Sequence, residues 1–136
     1  MSGIGPHVRV VSAELLVDGR YLITQRRADA VLPLLWEFPG GRVRDGESDA
    51  AALVRCLRDR VGLDVEVVEP TMEVTHAYET YTLTLAVYRC ALPSGQEARA
   101  AHVAAVAWVS PDEFGQYVFP GADQHTVDAL VGAMDT

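Results

Sequence analysis

The stretch from Trp36 to Leu63 constrains this chain more than any other part of it. Trp36-Glu37-Phe38-Pro39 runs into a pair of glycines, Gly40 and Gly41, and a further loop carries the chain to the carboxylate of Glu47. Ser48 is placed to cap a helix, and Asp49 falls in its first turn, where the helix dipole favours an anion. Ala50, Leu53, Val54, Leu57 and Val61 recur at helical spacing and predict the buried stripe. Gly62 ends the helix, because a left-handed terminus suits glycine. Cys56, Asp59 and Arg60 stand at i, i+3 and i+4, so they share a face of that helix, turned from the apolar stripe toward the two glycines.

The flanks read as strands. Val8 to Leu16 and Tyr21 to Thr24 are rich in β-branched and apolar residues, and Asp18-Gly19 between them signals a hairpin. Residues 26–33 read as loop. Val65 to Thr75 reads as a strand that Pro70 breaks or confines to an edge, Tyr81 to Cys90 alternates with a period of two, and Val103 to Val109 is a further strand. Pro93-Ser94-Gly95 is a turn, and Pro111-Asp112-Glu113 opens a short helical turn. A last helix begins at Gly121 or Asp123, with Val127, Leu130, Val131 and Met134 expected on one face. Strands surrounding a few helices give an α+β class, and 136 residues without repeat or linker give one domain, 1–136.

Composition excludes several functions. The formal net charge of −8 argues against nucleic acid held on a basic surface, while leaving room for a small anion in a locally basic cleft. Cys56 and Cys90 are too few for a disulfide framework and point to a reducing compartment. The first residues lack a leader pattern, and no run approaches the ~20 apolar residues of a spanning helix. The expectation is a cytoplasmic protein with no membrane partner; the sequence carries no feature that sets an oligomeric state.

Gly41, Glu47, Arg55, Leu57, Gly62 and Leu63 match the Nudix box: Gly, five residues, Glu, seven residues, Arg-Glu-apolar-x-Glu-Glu-x-Gly-apolar. The chain resembles the Nudix hydrolase superfamily. That resemblance implies a mixed β-sheet in an α/β/α sandwich and a divalent metal, Mg²⁺, held by the Gly40 carbonyl, Glu47 and the helical carboxylates. The three helical Glu positions depart from the pattern: they are Cys56, Asp59 and Arg60.

The resemblance reaches nearly the whole chain. Ile23 to Ala30 looks like MutT-type pyrophosphohydrolases, and Leu35 to Phe38 and Trp108 to Glu113 look like the CTP-pyrophosphohydrolase group. By that likeness Arg26 faces phosphates, Glu37 and Phe38 lie near the nucleotide pocket, and Asp123 is either a base-reading residue or a helix N-cap. Arg26 also reads as a solvated strand-end charge, and Phe38 and Trp36 as core residues. The family's further Glu, six residues before the strand Trp, corresponds to His102, with Glu97 in the same loop.

A thiol at Cys56 is soft and poor for Mg²⁺, Asp59 has a short arm, and Arg60 repels a dication. Mg²⁺ binding is therefore expected to be weak. The guanidinium of Arg60 suits a phosphate by itself, through charge-assisted hydrogen bonds. Three functions stay open at this point. The favoured one is a Nudix-fold protein with a nucleotide- or phosphate-type ligand and hydrolysis weak, specialised or lost. The second is an active Mg²⁺-dependent pyrophosphohydrolase. The third is a repurposed site in which Cys56, Asp59 and His102 hold Zn²⁺, the less expected metal, or do nucleophilic or acid–base work.

Overall fold

The computed structural model describes residues 5–30 and 33–134; the side chains of 122, 125 and 132–134 lie outside the description. The hairpin forms as the sequence predicts. Strand β1, His7–Val17, turns through Asp18 and Gly19, both at positive φ, into β2, Arg20–Gln25. Two short strands missed from the sequence follow, β3 Trp36–Glu37 and β4 Gly40–Arg42. Then come helix α1 Asp49–Val61, strands β5 Glu66–Ala77, β6 Thr82–Ala91 and β7 Ala105–Val109, a 3-10 helix Pro111–Gln116, and helix α2 Gly121–Met134.

The sheet is mixed. Its main path runs β3-β2-β1-β6-β5, with β4 joined to β1 and β7 to β2. The β1–β6 pairing is parallel and the others are antiparallel. Residues alternate between faces along β1. Val11, Ala13 and Leu15 turn toward Leu53, Leu57 and Val61 of α1. On the opposite face Ile23, Phe38, Val109, Phe114 and Val127 form a second cluster beneath the 3-10 helix and α2. An α+β class with helices on both faces of a mixed sheet is what results.

Several boundaries differ from the sequence reading for visible reasons. The Ser48 hydroxyl accepts from the Ala51 N–H at 3.1 Å, so the cap holds. In α1, however, Ala50 is exposed and Val54 half-buried, while Ala52 and Cys56 are buried. Because β4 lies against α1, the covered stripe is rotated toward Cys56. Strand β5 runs through Pro70, with register shifts beside it, because it is an edge strand. Strand β7 starts late because the preceding segment is engaged elsewhere: the N–H groups of Arg99, Ala101 and His102 donate to the terminal carbonyls of Val61 and Arg60. In α2 the buried side chains are Asp123, Thr126 and Val127, with Leu130 half-buried; Val131 is 36% exposed, and Met134 has no described side chain.

Gly40 explains the loop's composition. A Cβ there would lie 1.9 Å from the Val11 carbonyl oxygen, so β4 can pair with β1 only if this position has no side chain. Gly40→Ala is expected to lower stability by about 3 kcal/mol, seen as a fall in the urea midpoint. An unchanged midpoint would show that the strand can move aside.

Candidate functional site

Two adjoining cavities open where the glycine loop, α1 and the start of α2 meet. The larger has a volume of about 370 Å³, and the smaller about 310 Å³. Arg26, Glu37 and Arg60 border both. These two basic side chains come from the end of β2 and the last turn of α1, and the Arg26 guanidinium is 2.9 Å from the Glu37 carboxylate. Burial pushes the Glu37 carboxyl up, against the pull of Arg26 and Arg60. Among the described residues Arg60 makes no ion pair or side-chain hydrogen bond. A Cβ at Gly41 would lie 3.0 Å from its Nη2 and 2.8 Å from Cys56 Sγ, so both side chains do face the glycines. Gly41 thereby leaves the room that the guanidinium fills.

Aromatic and acidic side chains also line the larger cavity. Tyr78 and Tyr81 stack at 4.9 Å and form one wall. Phe38 is 1% exposed, packed between Phe114 at 5.7 Å and Phe119 at 5.6 Å, and it borders the cavity while belonging to the core. Asp123 is buried and lines the same cavity. It stands at the third residue of α2, so the N-cap alternative does not apply. Burial, and then the charge of Glu37, raise its carboxyl to about 8, while a hydrogen bond from the Phe38 backbone N–H opposes the shift. The group is neutral at neutral pH and offers both a donor and an acceptor to the cavity.

That shift carries a sign. Unfolded, the carboxyl titrates near 3.8; folded, it holds its proton up to about 8. The native state therefore binds more protons across that window, and its stability contribution is greatest below pH 3.8 and is lost as pH rises to about 8. Asp123→Asn removes this term. The variant should gain on the wild type by up to about 1.4 kcal/mol per pH unit between roughly pH 4 and pH 8. Denaturant unfolding at a series of pH values measures it; parallel profiles would show that the group is not held neutral.

The other sequence candidates are placed as follows. Glu47 lines neither cavity. Its oxygens take two hydrogen bonds from Arg55, both at 2.8 Å, and one from the Arg44 N–H at 3.0 Å. The Arg55 contact, more than the Arg44 one, brings its carboxyl down to about 2. Arg55 also donates to the Arg42 carbonyl at 2.9 Å, so the pair staples the loop to α1. Cys56, expected off the apolar stripe, is 2% exposed, and burial pushes its thiol up. Asp59 is exposed and borders neither cavity. His102 borders the smaller cavity, and its Nδ1–H donates to the Asp59 carbonyl at 2.8 Å, which leaves Nε2 as its available nitrogen. Glu97 is exposed in the same connection.

Cys56, Asp59 and His102 are not gathered into one centre. Among the described residues no group of three His, Cys, Asp or Glu side chains could hold a metal ion. The donor chemistry fits Mg²⁺ poorly as well. Glu47 is consumed by Arg55, Cys56 is a neutral thiol, and Arg60 puts a fixed cation beside the Gly41 backbone. What the sequence did not single out is Ser12 on β1 and Tyr81, both bordering the larger cavity.

The profile of the NUDIX domain matches residues 12–129. A CTP pyrophosphohydrolase of Escherichia coli (strain K12) is 34% identical over 125 residues, covering 91% of this chain and 91% of its own. A putative 8-oxo-dGTP diphosphatase 2 of Mycobacterium tuberculosis is 35% identical over 129 residues, covering 93% and 91%. The solution structure of the E. coli ORF135 protein is similar at a TM-score of 0.79 and 31% identity, covering 94% of this chain and 91% of that one. The MutT protein from Methanosarcina mazei Go1 has a TM-score of 0.86 at 16% identity, covering 99% and 100%, a likeness of fold alone.

Proposed function

The chain belongs to the NUDIX domain family, and from that premise we propose that it binds a nucleoside triphosphate-type ligand through its own arginines, with metal-dependent hydrolysis weak, specialised or lost. The observation that carries the reading is Arg60. This fixed positive charge borders both cavities and has no acceptor among the described residues. A guanidinium in such a place is satisfied by a phosphate oxygen, through short charge-assisted bonds.

The rest of the cleft supports a nucleotide lying along it. Arg26 and Arg60 attract the phosphates, and Glu37 orients Arg26. The Tyr78–Tyr81 wall offers a stacking surface to a base, and Asp123 meets the base edge with a donor and an acceptor. The names of the relatives, a CTP pyrophosphohydrolase and an 8-oxo-dGTP diphosphatase, point to the same ligand class. Small-anion recognition in a local basic cleft is compatible with the overall charge of −8.

Chemistry on the bound ligand has little support from these residues. The water-activating carboxylates of the box are replaced at Cys56 and Arg60, and Glu47 is held by Arg55. When bound in related hydrolases, a divalent metal supplies charge neutralisation and an activated water; here Arg60 supplies the first, and among the described residues no cluster of carboxylates is gathered to hold a metal for the second. Binding of nucleoside triphosphates by calorimetry, beside a pyrophosphate-release assay with Mg²⁺, tests the reading. Micromolar binding with negligible turnover is expected, and efficient Mg²⁺-dependent release would refute it.

A further inference from the structure

We infer that the Ser12 hydroxyl is a specificity-determining contact for the base of the bound nucleotide in the larger cavity, which Asp123 also lines; the inference rests on the nucleotide reading above. Ser12 lies in the middle of β1, in parallel register with Val87 of β6 and antiparallel register with Gly40 of β4. Val11 and Ala13 on either side face α1, so Ser12 shares the other face with Val10, which packs on Leu83 and Leu85 beneath the cavity. It is 2% exposed, and its Oγ has no hydrogen-bond partner among the described residues.

A buried hydroxyl without a partner is costly, and alanine would pack this strand equally well. Its retention at a cavity wall calls for a partner that arrives with the ligand. The position agrees. Ser12 is paired with Gly40, two residues from Phe38, whose N–H donates to Asp123, and both Ser12 and Asp123 line the larger cavity. Among the described residues Thr126 carries the other unpartnered buried hydroxyl, but it borders neither cavity. Serine can donate or accept, so it complements the mixed edge of a nucleobase, whose ring rests against the Tyr78–Tyr81 wall. The basic groups Arg26 and Arg60, which border both cavities, are the partners suited to the phosphates.

The test is Ser12→Ala with two readouts. Calorimetry in EDTA compares CTP and GTP with inorganic tripolyphosphate, which has the charge but no base, and thermal unfolding of the ligand-free protein follows stability. The variant should bind the preferred nucleotide about five- to tenfold more weakly, bind tripolyphosphate as the wild type does, and unfold at the same or a higher temperature. Ser12→Thr, which keeps the hydroxyl, should recover nucleotide affinity. Unchanged nucleotide affinity in Ser12→Ala would overturn the inference alone. So would a lowered unfolding temperature with equal losses for nucleotide and tripolyphosphate, the mark of a structural role. A wild type that binds tripolyphosphate but gains nothing from any base would remove the nucleotide reading and this inference with it.

Discussion

Arg60→Ala is expected to weaken nucleoside triphosphate binding in EDTA about ten- to a hundredfold, the worth of a charge-assisted contact of about 1.5–3 kcal/mol. The side chain borders both cavities and makes no ion pair or side-chain hydrogen bond among the described residues, so removing it takes a contact from the ligand and breaks neither kind of bond within the fold. The backbone carbonyl of residue 60, which receives the Ala101 and His102 N–H groups, is kept. Unfolding stability should therefore stay within about 0.5 kcal/mol of the wild type. Arg58→Ala is the control: Arg58 pairs with Asp64 at 2.7 Å on the exposed side of the same helix and should leave affinity unchanged. Equal effects from the two changes would mean that only general charge matters.

The second large effect is a gain. Replacing Cys56, Asp59 and Arg60 together by Glu should raise Mg²⁺ affinity and any pyrophosphohydrolase rate, the rate by on the order of a hundredfold or more, because a metal's charge stabilisation is worth several kcal/mol. The argument is electrostatic. Positions 56 and 60 face the Gly41 backbone, and today they offer a neutral thiol and a cation there. Three carboxylates at these positions present hard oxygen donors and no repulsion. Arg60→Glu alone should give a smaller gain, since Cys56 still lacks oxygen. Pyrophosphate release titrated with Mg²⁺ measures the series; a triple variant no faster than the unmodified protein would place the catalytic deficit elsewhere.

How far the sequence could be read depended on whether the signal was local. The hairpin at Asp18-Gly19, the Ser48 cap and the Gly62 stop are each set by the conformational needs of one or two residues, and each appears in the structure. The strands β3 and β4 were invisible because they are two and three residues long and exist only through pairing with β2 and β1. The start of β7 at Ala105 instead of Val103 could not be read either, since it follows from the preceding residues 99–102 being drawn off to cap α1. Within the site, spacing put Cys56, Asp59 and Arg60 toward the glycines; Cys56 and Arg60 lie against Gly41, while Asp59 is exposed and borders neither cavity. Spacing did not show that Cys56 would be buried there, because that depends on how closely β4 approaches α1. The role of Glu47 as a staple on Arg55, and the seat of His102 on the Asp59 carbonyl, are tertiary facts without a sequence period. Ser12 was passed over because a serine inside an apolar strand carries no motif; only its missing partner marks it.

The most direct test of the central claim, that arginine charge has taken the place of metal charge in this cleft, is a calorimetric titration of CTP into the unmodified protein, once in EDTA and once in excess Mg²⁺, with product release followed in the same samples. The account predicts closely similar affinities in the two buffers and little or no pyrophosphate released. Binding that requires Mg²⁺, accompanied by rapid turnover, would contradict it.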